Sequence, residues 1–417
     1  MSATEAARLL QRRELSSEEL VRECLARIEA REPTVRAWAF LDAEAALAQA
    51  RERDDESRRS PLHGVPVAVK DIFDTADMPT EYGSRIHAGR RPGKDAACVR
   101  ALREAGCVVL GKTATTEFAT YQPSRTTHPL DPERTPGGSS SGSAAAVADG
   151  MVALALASQT AGSTIRPASF CGVLGFKPTF GAVDLTGALQ LSARLDTIGL
   201  MARSAGDLAL LFGALGGDGP ALEPTESLRF ALVRTSPWGQ ADASGQAAVL
   251  RVAELFEGAG AAVKARELPE PFDRLTAAQE TVMAVDAAGS LTAERATHGD
   301  LLSDSLRELL ERGEATAPAK YRDAVAVAER CREACDEAFA GVDAILTPAA
   351  VGEPPARDTT GDPVFCRAWT LLGTPALSVP GLTGENGLPI GVQLVAPHGA
   401  DRALLGLGAW AAAALRG

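Results

Sequence analysis

Between Pro136 and Gly172 the chain reads PGGSSSGSAAAVADGMVALALASQTAGSTIRPASFCG, and this stretch constrains the fold more than any other. Two turns of small residues, Gly137 to Ser143 and Thr160 to Ser163, bracket an apolar run. The first turn is too rich in Gly and Ser to form core. It lacks the terminal Gly-Lys-Ser/Thr of a phosphate loop. Its local preference is a turn entering a helix near Ser143, with serine hydroxyls available as caps. The second turn follows Val152 to Ala157, which suits a short buried strand. A serine in a Gly-containing turn after a strand brings one hydroxyl and several backbone N–H groups to one point. Acyl transfer needs that combination of nucleophile and oxyanion donors.

At these residues the chain resembles the amidase signature family, hydrolases that use a Ser–Ser–Lys triad. GGSSSGSAAAVADG matches the glycine-serine block, QTAGSTIRPASFCG the nucleophile block, and Gly175 to Thr179 the block that follows. Upstream, Pro61 to Asp71 (PLHGVPVAVKD) matches the lysine block. Twenty-four residues separate Ser139 from Ser163, the spacing the family has between bridging and nucleophilic serines. The match is dense over 5–215 and weaker over 340–412.

The resemblance implies one large α/β domain over 1–417, with a mixed β-sheet sandwiched between helices. Its parts are a helical N-terminal segment (about 1–60), a catalytic core (61–215), a variable helical region (265–340), and closing strands with a C-terminal helix (341–417). It implies Ser163 as nucleophile, Ser139 as proton bridge held by a cis peptide after Gly138, and Lys70 as base. Backbone N–H groups of Thr160, Ala161, Gly162 and Ser163 would form the oxyanion hole. No histidine of the five stands where the family uses one for catalysis, and no metal or organic cofactor is expected. Three departures stand out. Gln159 occupies a position where many members have Asp, and Ala161 one where Gly is common. Arg166 lies three residues past the nucleophile rather than two. That S-x-x-R-P variant resembles malonamidase-like members, where this arginine grips a substrate carboxylate; a structural ion pair is the alternative. Tyr121, Gln122 and Arg125, in the polar loop 119–135, are further candidates for substrate contact, as are Gln159 and Gly138.

Read without the family, Val65, Val67 and Val69 alternate as in a strand, so Lys70 shares the face of Pro66 and Ala68. From the strand alone the expectation is a strand-end lysine reaching solvent; the serine blocks and the resemblance reverse that, making it a poorly solvated lysine whose lowered pKa suits a base. The spacing also predicts two helices over 3–32, the second ended by Pro33, and helices over 43–54, 95–105, 204–215, 244–260 (capped by Ser244) and 404–415. Strands are expected at 107–111, 228–234 and 344–348, with closing strands in 368–380 and 387–395. The helix–strand alternation independently suggests α/β layering. Asp196 and Arg203 read as paired charges that position loops.

A net charge of −12 disfavours nucleic acid and anionic membrane as partners. No apolar run reaches membrane-spanning length, and the N-terminus has no signal-like apolar core. Seven cysteines without framework spacing suggest reduced thiols and a cytoplasmic setting; Cys331 and Cys335, one helical turn apart, have no His or Cys companions for a metal. The expected activity is hydrolysis of a small carboxamide, on a chain compatible with a homodimer. One alternative is the A subunit of a glutamyl-tRNA amidotransferase, against which the S-x-x-R-P variant and the short, irregular middle argue. Another is a non-catalytic binding homologue, against which the filled triad argues.

Overall fold

The computed structural model describes residues 1–217 and 227–416. Its strands are β1 (Trp38–Leu41), β2 (Pro66–Lys70), β3 (Val108–Thr113), β4 (Leu154–Gln159), β5 (Leu174–Lys177), β6 (Thr197–Ala202), β7 (Arg229–Val233), β8 (Ala262–Arg266), β9 (Ala344–Pro348), β10 (Ala376–Thr383) and β11 (Pro389–Val395). They form one sheet in the order β1-β3-β2-β4-β6-β5-β10-β11-β9-β7-β8. Pairing is parallel where β2 meets β3 and β4, and where β7 meets β8 and β9; the other pairs are antiparallel. The sheet is therefore mixed, as the sequence leads one to expect.

Helices cover both faces: α1 (Ala3–Arg12), α2 (Ser17–Val35), α3 (Ala43–Asp55), α4 (Ala97–Glu104), α5 (Ser141–Ala148), α6 (Ile165–Cys171), α7 (Ala205–Ala214), α8 (Ala243–Gly258), α9 (Leu275–Ser290), α10 (Thr292–His298), α11 (Asp304–Glu314), α12 (Pro318–Glu333), α13 (Cys335–Ala338), α14 (Val364–Leu372) and α15 (Asp401–Ala414). Strand alternation sorts side chains between the two faces. Val67, Val69, Leu154 and Leu156 enter the larger core, under α4, α7 and α9. Ala68, Ala155 and Ala157 enter the smaller core, with α2, α3 and α5. Because both faces of β2 are buried, its valine alternation reflects residue size rather than one wet face.

Several local expectations are corrected. Helix α2 runs through Pro33 to Val35. A proline in the last turn costs few helical bonds there, since Arg36 N–H still reaches the Glu32 carbonyl and the Glu32 carboxylate accepts from the N–H groups of Ala37 and Trp38. Helix α8 is capped by Asp242, which accepts from Gly245 N–H, and not by Ser244. Helix α5 begins at Ser141 with no side-chain cap, because its serine hydroxyls are engaged elsewhere. Residues 368–372 are helical, and strands β1 and β8, at the two sheet edges, carry no alternation that marks them in the sequence. Asp196 and Arg203 do not pair. Arg203 donates to the carbonyls of Met1, Val147 and Val152, whereas Asp196 holds the second serine turn.

Helix α5 comes close to the chain that precedes it. A Cβ at Gly142 would lie 2.2 Å from the Ala37 carbonyl oxygen and 2.4 Å from Ala114 N. At Gly213, an exposed position of α7, it would meet nothing within 4 Å. The same substitution should then have opposite signs at the two sites. Gly142→Ala is expected to lose about 1–3 kcal/mol or more by overpacking. Gly213→Ala is expected to gain up to about 1 kcal/mol from helix propensity. Urea denaturation midpoints of the two variants check this.

Candidate active site

Lys70 ends β2 with no exposed surface. Its Nζ is hydrogen-bonded to Ser139 Oγ at 2.7 Å, Ser158 Oγ at 2.8 Å and Ser140 Oγ at 3.0 Å. All three partners are neutral hydroxyls. Burial drives its pKa well below the ordinary lysine value, opposed by the charge of Asp196. Burial holds the Asp196 carboxyl itself up to about 6, against the hydrogen bonds it accepts from Thr160, Ser192 and Leu191. Two other buried lysines show what is particular here. Lys112, one strand away, forms an ion pair with Asp71 at 3.0 Å and donates to Thr80 Oγ1. Lys177 donates to the Pro178 carbonyl at 3.0 Å, and burial pushes it down to about 7. Of the three, Lys70 alone faces a row of hydroxyls.

The turn from Gln159 to Ile165 joins β4 to α6. Gln159 is fully buried; its Oε1 accepts from the N–H groups of Thr164 and Ile165, and its Nε2 donates to Thr370 Oγ1. That amide is committed inside the protein, so the expectation that Gln159 contacts substrate gives way to a turn-holding role. Thr160 Oγ1 donates to Asp196 at 2.6 Å. The Thr160 carbonyl accepts from Gln279 Nε2 at 2.9 Å, and the Ala161 carbonyl accepts from Thr370 Oγ1 at 2.7 Å. In a planar trans peptide the C=O and the following N–H point in opposite directions. The two anchored carbonyls therefore aim the N–H groups of Ala161 and Gly162 away from Gln279 and Thr370. Helix α14 packs directly on the turn: a Cβ at Gly162 would lie 2.8 Å from Pro363 Cβ and 3.0 Å from Cys366 Cβ. Ser163 is 7% exposed, and no hydrogen bond joins its hydroxyl to Ser139.

The peptide between Gly138 and Ser139 is cis. The Gly138 carbonyl accepts from Arg166 Nη2 at 2.6 Å, and Arg166 Nε donates to the Thr360 carbonyl at 2.8 Å. Arg166 is fully buried and forms no ion pair among the described residues; its Nη1 has no partner. Burial pushes the guanidinium down to about 10, which leaves it charged at neutral pH. The structural ion pair considered for this arginine is thus replaced by bonds to two carbonyls.

Of the loop candidates, Tyr121 is half-buried, and its hydroxyl accepts from Arg367 Nη2 at 3.2 Å. Gln122 is exposed. Arg125 turns away to the Trp38 carbonyl and lines a hollow beside α2, so it does not join the site.

A family model described as amidase matches residues 19–405. This chain belongs to the amidase family. It is a hydrolase of C–N amide bonds, and none of its described helices is long and apolar enough to cross a membrane. It is 36% identical, over 91% of its length and 89% of the relative's, to the A subunit of the glutamyl-tRNA(Gln) amidotransferase of Anaeromyxobacter sp. (strain K). A solved structure described as an amidase superposes with a TM-score of 0.92 at 34% identity, covering 99% of both chains. The peptide amidase of Stenotrophomonas maltophilia gives 0.84 at 28%, covering 100% of this chain and 97% of that one.

Several residues of this amidase site carry no mark in the sequence, Thr360 and Thr370 among them. Ser140 stands inside the glycine-serine block, next to Ser139, and Ser158 ends the strand before the turn. Gln279 and Arg367 carry no local signal; only the packing of α9 and α14 against the turn brings them in.

If Lys70 is the base of the amidase, it must be neutral in the free enzyme. Its lowered pKa means that kcat/KM should rise with pH through a midpoint below the ordinary lysine value of about 10.4. Lys177 is the competing source of such a limb. Profiles of Lys70→Ala and Lys177→Met separate them: the limb should vanish or move in the first and persist in the second.

Proposed function

We propose that this enzyme hydrolyses a small carboxamide through an acyl-enzyme on Ser163, with Ser139 and Lys70 relaying protons. The observation that carries the reading is Lys70, desolvated and bonded only to hydroxyls, with Ser139 at 2.7 Å. The Ser163 hydroxyl adds to the substrate carbonyl while its proton passes to Ser139, and the Ser139 proton passes to neutral Lys70. The carbonyl oxygen becomes an oxyanion facing the N–H groups of the turn. Collapse breaks the C–N bond, and the relay returns the proton to the departing amine. Water then adds to the acyl-enzyme by the same route and releases the acid. The oxyanion donors are Thr160, Ala161, Gly162 and Ser163. Within the 1–417 domain, residues 61–215 form the catalytic core and the variable helices 265–340 cover it.

Arg166 supports a narrower substrate class. A buried guanidinium with no carboxylate partner and one unused nitrogen beside the nucleophile turn favours an amide that itself bears a carboxylate. This supports the malonamidase-like reading. A second reading, a glutaminase working within a larger complex, is favoured by the 36% identity to the A subunit of a glutamyl-tRNA(Gln) amidotransferase. Ammonia release from glutamine that depends on a co-purifying partner chain would select it; release from small amides by the isolated chain selects the first. Small amide and partner chain apart, the reading needs no nucleic acid, membrane, metal or cofactor, and it is compatible with a homodimer in the cytoplasm.

Ser163→Ala should abolish turnover with the fold intact. Arg166→Met should lower kcat/KM for carboxylate-bearing amides by about 2–5 kcal/mol. Neutral amides should lose at least about tenfold less, because only the support of the Gly138 and Thr360 carbonyls is removed from them. Equal losses in an ammonia-release assay of both classes would confine Arg166 to holding the turn.

A further inference from the structure

The variable helical region reaches the nucleophile turn through one side chain. Gln279, on α9, has no exposed surface. Its Nε2 donates to the Thr160 carbonyl at 2.9 Å, and its Oε1 accepts from Arg367 Nη1 at 2.6 Å. A guanidinium can only donate and a carbonyl can only accept, so the amide between them has one permitted orientation. Arg367, on α14 and 7% exposed, is held in turn. Its Nη2 donates to the Tyr121 hydroxyl, and its Nε lies 3.4 Å from Glu280 Oε1. A chain of bonds thus runs from a half-buried loop tyrosine, through Arg367 and Gln279, to the first peptide of the turn.

That peptide matters for charge stabilisation. Rotating the Thr160 carbonyl swings the Ala161 N–H by the same angle, because the two belong to one planar unit. Oxyanion donors act only when held within hydrogen-bond reach of the developing charge. We infer that Gln279 is a positioning residue for the oxyanion hole, locked by Arg367 and Tyr121, so that helices outside the catalytic core set the efficiency of the chemical step. This inference rests on the reading of Ser163 as nucleophile. It makes Tyr121 a link to the turn in addition to a wall of the substrate loop.

Gln279→Glu tests it with little change of shape. One carboxylate oxygen keeps the bond to Arg367, and the other meets the Thr160 carbonyl with no proton to donate. Gln279→Met removes both bonds. In each variant kcat should fall at least about tenfold, toward the ~10²–10³ typical of a lost oxyanion donor. KM should change by less than about twofold, the signature of an interaction made in the transition state. The limiting rate of inactivation by a fluorophosphonate, whose phosphoryl oxygen enters the same hole, should fall in parallel. Tyr121→Phe should show a smaller loss of the same kind and gives the readout if the buried substitutions prevent folding. Unchanged kcat in the folded variants, or a loss confined to KM, overturns the inference. Mapping the fluorophosphonate adduct keeps this separate from the reading beneath it. An adduct anywhere but Ser163 in the unmodified enzyme would undo the nucleophile assignment, whatever Gln279 does.

Discussion

A desolvated lysine amine surrounded by hydroxyls is the contact on which the rest of the site depends. Burying a lysine is costly unless it is paired or loses its proton. The chain contains both solutions on neighbouring strands. Val69 of β2 is in register with Lys112 of β3, and Lys70 with Thr113. Lys112 finds Asp71, and an ion pair of this kind keeps the proton on the amine. Lys70 finds three serines, none of which can compensate a positive charge as a carboxylate does. Its proton is therefore the easier to remove. The sheet supplies the desolvation, since both faces of β2 are covered by helices.

The proposed mechanism has a second requirement, a turn whose N–H groups stay free and aimed. Backbone donors inside a protein are normally satisfied, and freeing several at one point demands that everything around them be held by other means. Gln159 takes the N–H groups of Thr164 and Ile165. Asp196 takes the Thr160 hydroxyl and the N–H groups of Leu191 and Ser192. Thr370 and Gln279 take the carbonyls of Ala161 and Thr160. These partners come from β4, the segment before β6, α14 and α9, so the site needs α14 and the variable helix α9 docked on the turn. Gly162 is required by the same closure, because α14 leaves no room for a Cβ there.

What the sequence discloses follows from how local each signal is. The serine turns, the apolar strands and the lysine at a strand end are written in runs of a few residues. They reappear intact in the fold: Lys70 and Ser139 meet although 69 positions apart. The roles of Gln159 and Arg166 are hard to read because a side chain beside the Ser163 turn looks the same in one dimension whether it faces substrate or its own backbone. Gln279 and Arg367 are illegible for a different reason. Their partners lie 119 and 88 positions away respectively, and nothing in the helical pattern of α9 distinguishes a glutamine aimed at the turn from one aimed at water. Pro33 and Ser244 mislead at element ends, where a side-chain cap outweighs the general preference of proline or serine.

The claim that Lys70 is a neutral base can be observed directly. The chain has only six lysines, so the ¹³Cε resonances of a lysine-labelled sample are few, and the signal absent from Lys70→Met identifies the one of interest. Followed against pH in the substrate-free enzyme, that signal should titrate with a midpoint well below the ordinary lysine value of about 10.4, and the neutral form should dominate where the enzyme is most active. A Lys70 signal that keeps its charged chemical shift across the active pH range, titrating at or above that ordinary value, would contradict the account.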